Sequence, residues 1–597
     1  MYAQRGTLEI SGSSFSNNTA DFGTSQGGSG AGAIVAQDAN VSISGSDFTG
    51  NSAVSEASGN VCFTAGTAIS SVGNSSVSIS DSNFISNRVV TDACAQGVVY
   101  TASTNTNPYV SATLNVSGST FDSNVVSGME GTGGAISAWW QNDVDIKSST
   151  FSNNQANSSA EGGTARGGAI YVDTYESGLS TTLDVSNSEF VGNSANGLNS
   201  GLGGAVALAR GANQSIKATF TDTLFSGNSL SASASSVADG ALGGGAVGLR
   251  RADVEFAVTN NLLYSGNSVS LAGSLKDENG GFLYLFSDES GSASANFDIA
   301  SGATLTIGDG RQGYDSIASN NAGAAISKSG AGALTVNGSM EYFKGSLSVN
   351  EGTLNANNKL GASSISIAEG ASLGLKIAGD NALSGENLAL SNKGTIILTA
   401  AAGLSAGDYS ISSSAISDYG ATKTYGGNLV NGSFVVEAAK EFSLDTVGES
   451  VSVSSNGRAV LSDGSALVEM AFNSESATIN SAKTATQSLI DLLGSDFEAI
   501  SAYDFDVAID SGGTVVLSFL VANSSLSLED FTIYQRSEGG EWTEASGVEN
   551  LAYDGEYLSF MVSDLQGYGY AAVPEPATCA AILGAIAMAL ALYRKRK

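Results

Sequence analysis

Two aspartates at alternate positions, Asp143 and Asp145 in the stretch NDVDIK, are the first candidates for chemistry in this chain. On a strand they share one face. A pair of carboxylates flanking a sugar is what glycoside hydrolysis uses, one as acid and the other as base or nucleophile. A lyase would add a basic group to take a proton and carboxylates to hold calcium. The cations nearby are sparse: Arg166, Arg210, Lys217 and the pair Arg250–Arg251. The acidic residues are not expected to recur in register across adjacent repeats, and the chain has no Gly-Gly-x-Gly-x-Asp calcium motif. A solvated strand face accounts for Asp143 and Asp145 more simply than catalysis. A non-enzymatic protein is therefore the main reading, and a polysaccharide-degrading lyase or glycoside hydrolase is the alternative. No cofactor and no metal site are expected.

The chain contains no histidine, which excludes a Ser-His-Asp triad, a Cys-His dyad and histidine-bound metal. Cys62 and Cys94 lie about one repeat apart and could pair in an oxidising compartment or stay as two thiols. Trp139-Trp140 ends a short strand, and alternation turns one ring outward, where it could stack on a sugar or simply pack. Asp and Glu number 57 against 24 Lys and Arg, for a net charge of −33. Such a body repels phosphate backbones, so nucleic acid is not an expected partner.

Four of the cations, Arg594, Lys595, Arg596 and Lys597, end the chain. Before them Ala577–Tyr593 runs 17 residues without a charge, about 26 Å as a helix against a hydrocarbon core of about 30 Å. A cationic stop after an apolar span places Lys597 in the cytoplasm and residues 1–572 outside. Val573, Pro574, Glu575 and Pro576 precede the span, and prolines keep such a segment extended and open to a processing enzyme. The Pro-Glu-Pro triplet, hydrophobic span and arginine-rich end resemble the PEP-CTERM sorting signal. That resemblance implies processing by a membrane-embedded exosortase and delivery to the surface of a Gram-negative bacterium; a plain membrane anchor is the simpler alternative. MYAQRGTLEISGSSFSNN has no apolar leader and opens inside a repeat, so the chain is read as N-terminally incomplete.

The elements that must position all this come from a repeat. An aromatic followed three places later by Asn recurs at Phe15/Asn18, Phe48/Asn51, Phe84/Asn87, Phe121/Asn124, Phe151/Asn154, Phe190/Asn193, Phe225/Asn228 and Tyr264/Asn267, in steps of 33, 36, 37, 30, 39, 35 and 39 residues. Glycine pairs interleave: Gly133-Gly134, Gly167-Gly168, Gly203-Gly204, Gly244-Gly245 and Gly280-Gly281. Alternating stretches such as VSISGSDF read as half-buried strands between Gly/Ser/Asn turns. Coils of this kind bury an apolar face only by stacking. The rings should form an interior column, the asparagines a hydrogen-bonded ladder, and the glycines the tight bends. The Phe-x-x-Asn and Gly-Gly-Ala-Ile combination over residues 15–283 resembles the polymorphic outer membrane protein repeat of chlamydial autotransporters, a family that implies a surface β-helix passenger associated with adhesion. Such autotransporters end in a membrane β-barrel, and nothing after residue 570 could form one.

KSGAGALTVNG, FKGSLSVNEGTL and SISIAEGASLGL resemble the autotransporter-associated β-strand repeat, which would extend the solenoid. The expected organisation is all-β. A right-handed parallel β-helix occupies 1–290 and continues through strand repeats at 291–380. An irregular β region at 381–480 follows, then a helix with a small β-sandwich at 481–572 that caps the solenoid, and the sorting signal with its transmembrane helix at 573–597. The expected function is that of a cell-surface or extracellular structural or adhesin-like scaffold. Its partner would be extracellular polysaccharide or a neighbouring cell surface.

Overall fold

The computed structural model describes residues 1–574 apart from 24–28, 63, 104–111, 141, 159–162, 175–179, 212–213, 235–241, 417, 444–449, 463–466, 494–500, 522–525, 527, 538–539, 546–547 and 564. The molecule is all-β and built on large parallel sheets. One coil shows the plan. Asn142–Lys147, Thr150–Ser152, Gln155–Ser158, Thr164–Arg166 and Ile170–Thr174 succeed one another along the chain. Each pairs in parallel with its counterpart one repeat later: Ser180–Ser186, Glu189–Val191, Ser194–Gly197, Ser200–Leu202 and Val206–Arg210. The chain thus winds as a β-solenoid. Its longest face, called here the long sheet, contains 13 strands from Thr7–Ser11 to Ala389–Asn392.

Alternation along each strand decides which residues are covered. In Ser180–Ser186, Thr181, Leu183 and Val185 are buried while the residues between them are half-buried or exposed. One continuous core results, running from Ile10 to Val436. The coils shorten after residue 320. Ala325, Ser346, Ser364 and Ala389 are register partners in the long sheet, at steps of 21, 18 and 25 residues against 30 or more earlier. At this transition Lys328 occupies an inward position beside Phe297 and Val349. Its ammonium donates to the carbonyls of Ser329, Gly330 and Glu351 at 2.7, 2.7 and 3.2 Å. Burial pushes it down to about 8, and the three carbonyls satisfy its three donors.

Two boundaries differ from the expectation. Solenoid strands continue through Thr395–Ala400 and Ala421–Tyr425. The sandwich then begins at Lys440 rather than near 481, with two six-stranded sheets that run to Pro574. The strands 440–480 lacked a recognisable repeat, because antiparallel sandwich strands alternate without a fixed period. The helix is Thr486–Leu493, shorter than its apolar pattern. Nor is the sandwich a simple end cap. Phe434 and Val436, on the hairpin Asn428–Val430/Ser433–Val436, join the solenoid core and cover its last coil. The sandwich docks along the flank instead. Lys376 pairs with Asp554 at 2.7 Å, Asn355 donates to Asn550 at 2.6 Å, and Tyr425 packs with Ala471, Val516 and Met561. The buried pair Arg458–Glu469 ties the turn at Gly403–Leu404 to it: Glu469 accepts from the Gly403 N–H at 2.7 Å and Arg458 donates to the Leu404 carbonyl.

Candidate functional site

The repeated residues come together as expected. Phe15, Phe48, Phe84, Phe121, Phe151, Phe190 and Phe225 form one stack, with successive centroids 4.6 to 5.1 Å apart and planes within 9° of parallel. From Phe48 onward every ring is fully buried, each stabilising the fold by about 1.5–3 kcal/mol. Tyr264 departs from the column and meets Phe225 edge-on at 84°. Phe256 and Phe282 crowd this coil, which turns the ring out of the stack.

The asparagine ladder is continuous. Asn154 donates its side-chain amide to Asn193 Oδ1 at 2.9 Å and to the Phe121 carbonyl at 2.9 Å. Its own Oδ1 accepts the backbone N–H and the amide of Asn124 at 3.2 and 2.9 Å. Asn124, Asn193 and Asn228 repeat the pattern. Every amide-to-amide bond of the ladder is donated toward the C-terminal side. Beyond Asn267 the acceptor is Asp315, which takes two N–H groups of Asn267 on Oδ1 and that of Gly266 on Oδ2. Burial pushes its carboxyl up to about 7, against the pull of those donors.

A second ladder was missed in the sequence. Ser46, Ser82, Ser119, Ser149 and Ser188 are buried in a column. Each hydroxyl accepts the backbone N–H of its predecessor at 3.1–3.2 Å. The signal was present: serine stands two places before each of the first six rings, from Phe15 to Phe190. The glycine pairs divide two roles. Gly133, Gly167, Gly203 and Gly244 have positive φ. In the second glycines a Cβ would lie 2.0–2.1 Å from the next coil's carbonyl, as for Gly168 against Gly204.

The chemistry-bearing candidates fare differently. Asp143 and Asp145 lie on the outer face of the long sheet, in a shallow groove of about 840 Å³. Asp145 pairs with Lys147 at 2.6 Å and is 40% exposed; Asp143 accepts from the Thr182 hydroxyl at 3.1 Å. The expectation that acidic residues fall out of register is corrected here, since Asp145 is the direct partner of Asp184 in a row with Asn115 and Thr219. Both aspartates stand six places before their rings, so variable loops between repeats hid an alignment that counting from the aromatic restores. The shallow, open groove and the Lys147 partner set this pair apart from two carboxylates enclosed around a sugar. Among the described residues no group of three or more Cys, Asp and Glu side chains could hold a metal.

Trp139 points outward from its sheet but packs edge-on against Tyr171 at 5.7 Å. Trp140 takes a left-handed corner at φ 58°, its carbonyl accepting from Ser103 at 2.9 Å. Beneath the same cover Asp173 is fully buried and accepts from the Tyr171 hydroxyl; burial pushes its carboxyl up to about 7. The backbones of Cys62 and Cys94 are register partners.

At the other end of the chain, Val573 is buried and Pro574 is the last residue of Tyr568–Pro574, a strand between two neighbours. The boundary expected at 572 is thus moved, and the motif begins inside the sandwich instead of in a free segment; a proline is tolerated where the ladder ends. Glu575, Pro576, the apolar span and Arg594, Lys595, Arg596 and Lys597 lie outside the described residues. Among the described residues no helix is long and apolar enough to cross a membrane. Comparison with protein families, with curated proteins and with solved structures finds no match to this chain.

Proposed function

We propose that this chain is a non-enzymatic scaffold of the bacterial cell surface, a right-handed β-solenoid that presents outer faces and loops. Residues 573–597 act as its exosortase-read sorting signal, and 577–593 span the inner membrane during export. Extracellular polysaccharide is its partner class. The observation that carries this reading is that, from the second coil onward, the repeated rings stack in the interior and the repeated amides are buried and hydrogen-bonded from coil to coil. Repetition here maintains a rod and leaves the exterior free to vary. The resemblance of the last 25 residues to PEP-CTERM signals supports the location. The alternative of polysaccharide cleavage is favoured by one feature, the in-register Asp145/Asp184 pair.

Fractionation of cells expressing the full chain tests the location. The intact sequence is expected at the cell surface, and the Pro574→Ala/Pro576→Ala variant is expected to stay unprocessed; identical distribution of the two would remove the sorting role. Incubation with uronic-acid polymers and calcium tests catalysis. No cleavage is expected, and cleavage abolished by Asp145→Asn/Asp184→Asn would replace the scaffold reading with an enzyme.

A further inference from the structure

A cleft of about 810 Å³ opens where the solenoid meets the docked sandwich. The loop Asp309–Asp315, the short-coil asparagines and the turn at Tyr553–Asp554 supply its walls. Its charges are largely matched internally. Arg311 is held by the buried Asp309 carboxylate and lies over the Tyr314 ring at 4.8 Å. Lys376 is held by Asp554, and Glu341 by Lys359 at 3.5 Å. An anionic ligand would therefore find no uncommitted cation there.

The cleft does present acceptors that lack a donor. Asp277 lines one wall, with its Oδ1 shut off from solvent and its carboxylate beside the Ser316 hydroxyl. The nearby Ser316 hydroxyl donates to the Asp277 main-chain carbonyl at 3.1 Å. Asn357 and Asn358 both donate inward, to Asn337 Oδ1 at 2.7 Å and to its main-chain oxygen at 2.6 Å, so their side-chain carbonyls remain to be matched. Few large apolar side chains are exposed among the described residues, yet two of them lie at this rim. Tyr342, 39% exposed, follows the lining residue Glu341, and Leu275, 41% exposed, lies against Gly313.

Acceptors in need of donors, paired charges and an exposed ring at the edge fit one class of ligand. Hydroxyl groups supply the donors, and the C–H face of a pyranose stacks on an aromatic ring. We propose that this cleft binds a segment of neutral glycan, with the Asn357/Asn358 carbonyls accepting from its hydroxyls and Tyr342 stacking on a sugar ring. The proposal rests on the reading of the chain as a glycan-associated scaffold.

The test titrates the purified full chain with neutral gluco- and xylo-oligosaccharides, with oligouronates, and with calcium alone. Neutral oligosaccharides are expected to bind. Tyr342→Ala and Asn358→Ala should each weaken that binding about tenfold. Tyr342 is exposed, so its variant is expected to melt like the parent. The proposal is overturned if neutral oligosaccharides do not bind, if oligouronates or calcium bind in their place, or if neither variant changes affinity. Cell fractionation reads location separately. A surface-located chain that ignores neutral glycans loses the cleft alone, whereas glycan binding by a chain retained in the cytoplasm loses the surface role alone.

Discussion

The long coils before residue 290 and the short coils of 325–400 share one uninterrupted sheet, yet they are held together differently. The long coils of Phe121, Phe151 and Phe190 each carry a buried ring, asparagine, serine and glycine pair, packed or bonded against the coils above and below. The short coils carry no such set. Side chains there reach outward instead, Asn355 to Asn550 and Lys376 to Asp554 in the sandwich. Long coils are therefore self-supporting, and short coils lean on a neighbour. Polar groups buried in the stack contribute most where no flank partner exists.

The largest expected effect comes from breaking the self-supporting half. Phe151→Ala should cost about 3–5 kcal/mol in denaturant unfolding, from lost burial and a cavity between two rings. Asn154→Ala should cost about 3 kcal/mol, because it strands the Asn124 donors, the Phe121 carbonyl and the Asn193 acceptor at once. The matching change in the short coils, Asn357→Ala, removes a bond at the half-exposed cleft wall and should cost less than about 1 kcal/mol. Equal costs for Asn154→Ala and Asn357→Ala would dissolve the contrast.

A middle-sized effect is expected at the bends. Gly168→Ala puts a methyl against the Gly204 carbonyl and the Ser194 backbone. The two coils must part to admit it, at about 1–3 kcal/mol, read as a lowered melting temperature.

An effect of another kind separates the halves by pH. Asp173 and Asp315, in and at the end of the long-coil array, are pushed by burial from 3.8 up to about 7. Between those values the folded chain keeps protons that the unfolded chain has released, so stability rises as pH falls from 8 to 5. Asp554 on the docked flank behaves oppositely. Burial raises it, but Lys376 and the N–H groups of Tyr557 and Glu556 outweigh that and hold it below 3.8. Its contribution is complete at pH 5 and is lost only as pH falls through that lower value. The melting temperature should therefore be higher at pH 5 than at pH 8, and Asp173→Asn should narrow the difference.

How much of this was legible follows from what repeats. Phe151 and Asn154 declared their column because the pair recurs at a fixed offset. The serine ladder carried the same signal two places before the first six rings but was absorbed into the alternating strand pattern. The Asp145/Asp184 register was hidden by loops of unequal length. Features that occur once were beyond pattern reading: Lys328 at the change of coil size, Asp315 beyond the last asparagine, and the flank docking through Lys376. Their roles depend on neighbours distant in the chain, as with Asn355 and Asn550, 195 positions apart.

The one-way run of donors through the asparagines has a consequence for how such an array can grow. A rung inserted anywhere between Asn18 and Asn267 finds an amide before it and an amide after it, so duplicating a coil leaves the grammar of the column intact. Asp315 has no proton to pass on when ionised. It is a full stop, and lengthening of the ladder is permitted upstream of it and forbidden beyond.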